Sequence, residues 1–335
     1  MRKSKKKQKF KKFRIFYLLL LLLITTISLS TSSYAWFTTN RLVKIDLLDV
    51  SVRAQGGIEI SVDGTDWKSS VSIDDIVNAE QKYPSNTNQI PFVLEPVSTI
   101  GELENGKLKL FYGNAVNNAS GQYILETTRS IEEKSFGEES NGKFITFDLF
   151  LKTNNNTKLY LTPDSNVTYT GDKSVGIENA VRFAFVEEGT VETGSSLNII
   201  QNLSTNDNNK VYIWEPNYDT HTDYGIENAK DIYNIIITNP SGQVEYDGVT
   251  KEISKSLNIT TNKANSTYYP NFFKKVEVDY YTKNGFDTNM EVFSLRGGIT
   301  KIKVYMWVEG QDVDCENNAA IGNMSLNLQF STNPS

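Results

Sequence analysis

The chain has 335 residues, with 34 lysines and arginines, 40 aspartates and glutamates, one histidine, one cysteine and a formal net charge of −6. The single cysteine excludes an intramolecular disulfide bond, and the single histidine excludes zinc motifs that need a histidine pair. The first 35 residues hold nine basic and no acidic residues, so the remainder has 25 basic and 40 acidic residues and a net charge of −15. A surface this acidic repels nucleic acid and anionic lipid, and we expect neither as a partner.

The first 35 residues have the pattern of a secretory signal peptide. A basic segment precedes an apolar run at 15–29, and the small residues Ser33 and Ala35 occupy the positions before a cleavage site. This order predicts removal of 1–35 by a signal peptidase, a mature chain that begins at Trp36, and a secreted protein of the cell surface or extracellular matrix. The alternative is an uncleaved anchor, although the run is shorter than the about 20 residues of a membrane span. Only an uncleaved leader would then contact the membrane.

The segment after the cleavage site predicts a β-strand with a phase slip. Its apolar residues are Val43, Ile45, Leu47, Leu48, Val50 and Val52. The alternation changes parity between Leu47 and Leu48, which indicates a β-bulge or kink. A strand at a free chain end can pair in its own sheet or add to the edge of a neighbouring copy, and both alternatives stay open. The candidate assembly residues are Val43, Ile45, Leu47, Val50 and Val52.

A tight turn is predicted at Asp63 and Gly64. The pair follows an alternating apolar run at 58–62, and glycine tolerates the positive φ that hairpin turns require. The alternative is a surface loop that presents Asp63, Asp66 and Trp67 to a ligand.

Most of the remaining chain alternates apolar and polar residues with a period of two, which is typical of strands with one buried face. The clearest runs lie at 145–151, 181–185, 276–280, 302–308 and 324–330. Two short segments, 73–80 and 226–233, favour helices. The pattern predicts an all-β protein, an antiparallel β-sandwich that is jelly-roll-like.

The same pattern suggests a division of the chain. Residues 1–35 form the signal peptide, and residues 36–190 with 289–335 form the β-sandwich. Residues 191–288 are less regular and carry long polar loops, so we expect an insertion or second lobe there.

A cluster of acidic residues follows the run at 302–308. Glu309, Asp312, Asp314 and Glu316 lie within eight residues of one another. Calcium takes six to eight oxygen ligands, so Glu309, Asp312 and Asp314 are a candidate calcium site. The alternative is an acidic turn whose carboxylates accept hydrogen bonds from nearby backbone N–H groups. We expect no other cofactor.

Two single residues are weaker candidates for chemistry. His221 lies in the polar segment 217–223, and we do not expect it to be catalytic. Cys315 fits a buried small apolar side chain, with a bridge between two copies or a reactive thiol as alternatives.

Three stretches together resemble the camelysin/TasA-like group of exported proteins from Gram-positive bacteria. They are residues 35–40 (AWFTTN) behind a polybasic leader, 57–67 (GIEISVDGTDW), and 302–315 (IKVYMWVEGQDVDC) with its closing strand. Members are processed by a dedicated signal peptidase and often build surface or biofilm-matrix fibres. The resemblance implies a jelly-roll subunit that polymerises by lending its N-terminal strand, residues 36–53 here, to the next copy. Camelysin has been regarded as a metal-dependent protease, but this chain has no cluster of zinc ligands, so we expect no enzymatic activity.

The sequence therefore predicts a secreted structural subunit of the cell envelope or extracellular matrix. We expect it to associate with itself or with related matrix subunits, and to form fibres through its N-terminal strand. The alternative is a monomeric surface module that binds a glycan or a host ligand through its loops and exposed aromatic residues.

Overall fold

The computed structural model describes residues 43–117, 123–137, 140–171, 176–231, 235–253, 272–280, 290–315 and 321–333. The strands are β1 Val43–Ala54, β2 Glu59–Ser61, β3 Ser70–Ser72, β4 Gln89–Pro91, β5 Val93–Leu94, β6 Val97–Ser98, β7 Leu103–Glu104, β8 Lys107–Leu108, β9 Leu110–Asn117, β10 Tyr123–Ser130, β11 Ser135–Gly137, β12 Ile145–Thr153, β13 Thr157–Leu161, β14 Asn166–Tyr169, β15 Val181–Val191, β16 Val211–Glu215, β17 Asp247–Val249, β18 Phe273–Lys275, β19 Asp279–Tyr280, β20 Met290–Leu295, β21 Gly298–Val308 and β22 Ile321–Ser331. The helices are α1 Ile73–Asn78, α2 Leu197–Gln201 and α3 Asp223–Asp231, and a 3-10 turn at Ala79–Gln81 follows α1.

Two large sheets form a sandwich, which confirms the predicted all-β sandwich class. The first sheet has the order β20-β13-β22-β1-β3, with β14 also paired to β22 and β5 to β1. The second sheet has the order β11-β4-β12-β21-β15-β16-β19, with β2 also paired to β12. Their apolar faces pack together: the rings of Phe185 on β15 and Phe330 on β22 meet edge to face, with centroids 5.8 Å apart.

The sheets are mixed, whereas the sequence pattern suggested antiparallel pairing throughout. β1 runs parallel to β22 over the register Lys44↔Ile321 to Ala54↔Phe330, and β11 runs parallel to β4. Alternation of apolar residues reports which face of a strand is buried and carries no information on its direction. The parallel pair places the first and last described strands side by side.

The second sheet is covered on both faces. On β21, Ile302 and Val304 belong to the core between the two sheets, while Tyr305 and Trp307 pack against a second cluster of apolar side chains. We call the segments over this outer face, residues 83–88, 97–110, 197–203 and 246–248, the covering layer. Every residue of β21 is consequently buried, although the sequence predicted one buried and one exposed face.

A β-bulge interrupts the pairing of β15 with β21. Glu187 pairs with Ile302 and Gly189 with Lys301, so Glu188 is the extra residue. Bulges of this kind redirect a side chain and often occur near functional sites.

The local predictions from turn and helix patterns are confirmed. The two helix segments appear as α1 with its 3-10 turn and as α3, and positions 232 and 233 of the second segment lie outside the described residues. At the predicted turn, Gly64 has a φ of +78°, and the Asp63 carboxylate accepts hydrogen bonds from the backbone N–H groups of Thr65 and Asp66 at 2.7 and 2.9 Å. The Asp63 carboxylate therefore stabilises its own turn through these hydrogen bonds.

The described part of residues 191–288 is attached to the sandwich. β16 pairs with β15 and extends the second sheet, and Trp214 on β16 is 1 % exposed within the main core. β17 and β18 form a separate two-stranded sheet.

Candidate functional site

The residues of the predicted cleavage site, Ser33, Ala35 and Trp36, lie outside the described residues. The candidate assembly strand is β1, which lies inside the first sheet. It pairs with β22 on one side, and with β3 and β5 on the other. The register shifts between Ile45 and Leu47, close to the predicted phase slip. Val50 and Val52 are 1 % and 0 % exposed, so this strand supplies core side chains.

The acidic turn at the end of β21 lies under the covering layer. Glu309 is completely buried; its carboxylate accepts hydrogen bonds from Trp307 Nε1 at 2.9 Å and from the Gln311 backbone N–H at 3.1 Å. Burial raises the pKa of Glu309 to about 7, against the opposing effect of the Trp307 hydrogen bond. Its backbone N–H donates to Ala180 O at 2.7 Å, which ties the turn to the start of β15.

Arg182 on β15 lies at the centre of a buried charge cluster. Its Nη2 forms ion pairs with Asp312 and, at 2.7 Å, with Glu215 Oε1 on β16. The guanidinium also lies over the Tyr246 ring, 5.1 Å from its centroid. Burial raises the pKa of Glu215 to about 8, even though Arg182 lowers it. The one guanidinium thus contacts two carboxyl groups. We call Arg182, Glu215, Glu309 and Asp312 the arginine cluster.

Asp314 continues this cluster toward His221. His221 Nδ1 lies 2.7 Å from Asp314 Oδ2, and Nε2 lies 2.8 Å from the carbonyl oxygen of Gly242. Both neighbours are acceptors, so the ring satisfies both contacts only as the doubly protonated imidazolium. Burial alone would lower the pKa of His221, but the hydrogen bond and charge of Asp314 outweigh it and raise the pKa to about 9.

These contacts bear on the candidate calcium site. The structure brings Glu309, Asp312 and Asp314 into one turn, but it gives their carboxylates donors from the chain itself, including the cations Arg182 and His221. Within the described residues no group of three or more His, Cys, Asp or Glu side chains is arranged to hold a metal ion. A calcium ion would have to displace a guanidinium and an imidazolium from their carboxylates.

We therefore expect the melting temperature to be the same in millimolar calcium and in a chelator. A site at the acidic turn would instead stabilise the fold by about 2.7 kcal/mol at a calcium concentration 100 times the dissociation constant. Differential scanning fluorimetry measures this directly. A calcium-dependent rise that is lost in the Asp312→Asn variant would contradict our expectation.

A second group of buried charges lies further along the same face of the second sheet. Lys301 and Lys303 on β21 point toward the covering layer, and we call them, with their partners, the lysine cluster. Its other members are Tyr83, Glu132, Asp148 on β12, Glu188 at the β15 bulge, and Tyr305.

Within the lysine cluster, Lys303 and Glu132 form a close, buried ion pair. Their Nζ and Oε1 atoms are 2.7 Å apart, and Tyr305 Oη donates to the other Glu132 oxygen at 3.0 Å. Burial would raise the pKa of Glu132, but the charge of Lys303 outweighs it and lowers the pKa. Glu132 is therefore ionised at neutral pH.

Lys301 has two carboxylate neighbours. Its Nζ lies 2.7 Å from Glu188 Oε2 and 3.3 Å from Asp148 Oδ2. Burial and the nearby charge of Asp148 raise the pKa of Glu188. Burial would lower the pKa of Lys301, but the charges of Asp148 and Glu188 outweigh it and raise the pKa.

The sequence analysis did not identify Arg182, Lys301 or Lys303 as site residues. Each occupies an alternate position of a strand whose other positions are apolar, so the period-two pattern assigns it to a solvent-exposed face. The signal that could have marked them is the presence of large aromatic residues, Tyr305 and Trp307, on that same face. Cys315 is 4 % exposed, as expected for a small buried side chain.

No family model, curated protein or solved structure matches the chain. The resemblance to the camelysin/TasA-like group thus stays a prediction from the three quoted stretches. Within the described residues, no helix has both the length and the apolar character needed to span a membrane.

Proposed function

We propose that the protein is a secreted structural subunit of the cell envelope or extracellular matrix that assembles through its N-terminal strand. The observation that supports this most is the position of β1. It is the first described strand, yet it lies beside β22 within the first sheet and contributes Val50 and Val52 to the core. A terminal strand in such a position can leave its own sheet and fill the same position in a second copy, as in domain swapping.

The second flank of β1 favours exchange. β5 pairs with Val43 and Lys44, and β3 pairs with Ser51 to Arg53. Between these two contacts, no strand in the described part of the chain pairs with that flank of β1. Among the described strands, β22 alone pairs with β1 from Lys44 to Ala54, which leaves fewer backbone hydrogen bonds to break during exchange.

Processing of the leader belongs to the same proposal, because it would leave β1 close to a free chain end. The small residues Ser33 and Ala35 predict cleavage before Trp36. We expect Ala35→Phe to block cleavage in the native host, since a bulky side chain does not fit the position before the cut. N-terminal sequencing of the exported protein checks this, and an Ala35→Phe protein that still begins at Trp36 would contradict it.

The assembly itself is tested by charge placed on the two faces of β1. Val50 is buried and its neighbour Asp49 is exposed. We expect the mature wild-type protein and Asp49→Lys to form large species in size-exclusion chromatography. Val50→Lys should abolish them, because a lysine would enter the core that the exchanged strand must complete. Assembly that persists in Val50→Lys would count against strand exchange.

A monomeric surface module that binds a glycan is the second candidate. Phe136 on the edge strand β11 is 51 % exposed, and its ring centroid lies 5.3 Å from that of Phe92. Exposed aromatic rings of this kind can stack on sugar rings. If the mature protein stays monomeric at every concentration, this candidate takes precedence, and Phe136→Ala should then reduce glycan binding in an array experiment.

A further inference from the structure

The lysine cluster contains four side chains in a reactive arrangement. Lys301 Nζ lies 3.3 Å from Asp148 Oδ2, an ion-pair contact that places the nitrogen beside the carboxyl group whose carbon it would attack. Glu188 Oε2 lies on the same nitrogen at 2.7 Å. Tyr83 Oη donates to Asp148 Oδ2 at 2.9 Å, so an amine, a carboxyl group, an acid-base residue and a hydrogen-bond donor meet at one point.

Two separate features of the fold bring these groups together. Lys301 and Asp148 lie on the neighbouring strands β21 and β12, both on the face beneath the covering layer. Glu188 reaches them because it is the extra residue of the β15 bulge. All three side chains are nearly inaccessible to water, with exposures of 7 % for Lys301, 1 % for Asp148 and 8 % for Glu188.

Lys303 is less suited to this chemistry, although it lies 3.4 Å from the other oxygen of Asp148. Its charge is matched by Glu132 at 2.7 Å, and it also donates to Thr87 Oγ1 at 2.7 Å. These contacts hold Lys303 as an ammonium ion. Lys301 instead contacts two carboxyl groups, Glu188 and Asp148, and donates its remaining hydrogen bonds to the backbone carbonyl oxygens of Gln201 and Leu203 at 3.3 and 3.1 Å.

We propose that the mature protein carries an intramolecular isopeptide bond between Lys301 Nζ and Asp148 Cγ. The ammonium ion and the carboxylate condense to a neutral amide and one water molecule. The Nζ–Cγ bond forms and one Cγ–O bond breaks. Two of the three ammonium protons leave with the departing oxygen as water, and the third remains on the amide nitrogen, so atoms and charges balance without an added reactant.

Glu188 is the residue that moves protons in this step. It first accepts a proton from the Lys301 ammonium ion, because the nitrogen can attack only as the free amine, and delivers that proton to the departing Asp148 oxygen. After the N–C bond has formed, a second proton passes from the nitrogen through Glu188 to the same oxygen, which leaves as water. Tyr83 Oη stabilises the negative charge that develops on the oxygen it already contacts. The reaction is intramolecular and shielded from water, which favours amide formation, because positioned groups react with effective molarities of about 10⁵–10⁸ M.

The bond would also relieve an electrostatic cost of the fold. A buried ammonium and a buried carboxylate both lose their hydration, and their conversion to an amide removes two charges from the interior. The product would join β12 to β21, the central pair of the second sheet, by a covalent bond. The chain has a single cysteine and cannot form an internal disulfide bond, so the isopeptide bond would be a different covalent link that stabilises the sheet.

Intact-mass spectrometry of the purified full chain tests the bond. The expected mass is lower by one water than the mass of the sequence that starts at the measured N-terminus. Proteolysis should release a branched peptide that joins the segments around Asp148 and Lys301. A folded wild-type protein with the full sequence mass, or a branched peptide that contains Lys303, would overturn the proposal.

Two matched variants test the role assigned to Glu188. Glu188→Gln removes the acid-base group with little change in size, and Glu132→Gln makes the same change beside Lys303. We expect Glu188→Gln to have the full sequence mass and Glu132→Gln to remain one water lighter, with circular dichroism confirming that both are folded. A Glu188→Gln protein that still loses one water would overturn the assignment. If Glu188→Gln does not fold, Glu188→Asp replaces it in the test. We expect folded Glu188→Asp, whose side chain is shorter, to contain a larger fraction of chains without the isopeptide bond than the wild type does.

Discussion

Replacing Arg182 with methionine should lower the free energy of unfolding by about 3–5 kcal/mol, the cost of removing one partner from a buried ion pair. Arg182 is fully buried, and its guanidinium is shared by Glu215 and Asp312. Methionine fills only part of the same space, and it leaves the carboxyl groups of Glu215 and Asp312 buried without a cation. Urea unfolding followed by circular dichroism measures the loss.

Lys158→Met is the matched control for this prediction. Lys158 pairs with Glu291 at 2.6 Å, but its side chain is 55 % exposed, and exposed ion pairs contribute about 0–1 kcal/mol. The triple variant Arg182→Met, Glu215→Gln, Asp312→Asn should recover part of the loss, because it removes the uncompensated charges. Equal losses for Arg182→Met and Lys158→Met would contradict a central role for the arginine cluster.

Stability should also fall as the pH rises from about 7 to about 10. The pKa of His221 is raised from 6.5 to about 9 by its contact with Asp314. A raised pKa contributes stability that is fully present below the unfolded-state pKa and is lost as the pH rises through the folded-state pKa. A shift of this size corresponds to about 3 kcal/mol.

The buried carboxyl groups also make the protein less stable as the pH rises, but over a lower pH range than His221. The pKa values of Glu309 and Glu215 are raised from 4.5 to about 7 and about 8, so both contributions decline as the pH rises above 4.5. The pKa of Asp63 is lowered from 3.8, because hydrogen bonds at the turn outweigh the effect of burial, and its contribution is lost only in stronger acid. The maximum of stability should therefore lie on the acidic side of neutrality.

His221→Gln separates the histidine from the other groups. Glutamine can still donate a hydrogen bond to Asp314, but it does not titrate. The free energy of unfolding of this variant should change little between about pH 8 and pH 10, while that of the wild type falls. Parallel curves for the two proteins, measured by urea unfolding across this range, would show that His221 is not the titrating group.

Local sequence patterns were sufficient to predict the core between the sheets. Met324, Leu326 and Leu328 alternate along β22, and all are 1 % exposed. The turn at Asp63 and Gly64 was equally predictable, because its hydrogen bonds lie within a few residues of each other. In both cases the information is contained in the segment itself.

The outer face of β21 could not be predicted in this way. Its lysines and aromatic residues are buried only because the covering layer returns over them from distant parts of the chain. The acidic turn was recognised from its spacing, but its cationic partners Arg182 and His221 are far from it in sequence. The bulge at Glu188 depends on its pairing with β21, which period-two alternation in a single strand does not report.

Exchange of β1 between copies is the central claim, and a disulfide trap tests it most directly. Asp49 on β1 pairs with Ser325 on β22, and cysteines at paired strand positions are close enough to form a disulfide bond. The protein carries Asp49→Cys and Ser325→Cys in a Cys315→Ala background, and is oxidised after assembly. We expect a ladder of covalent multimers on a non-reducing gel, because β1 of one copy lies beside β22 of the next, while the two single-cysteine controls stop at dimers. Monomers with an internal disulfide bond, formed in quantity at high protein concentration, would contradict strand exchange.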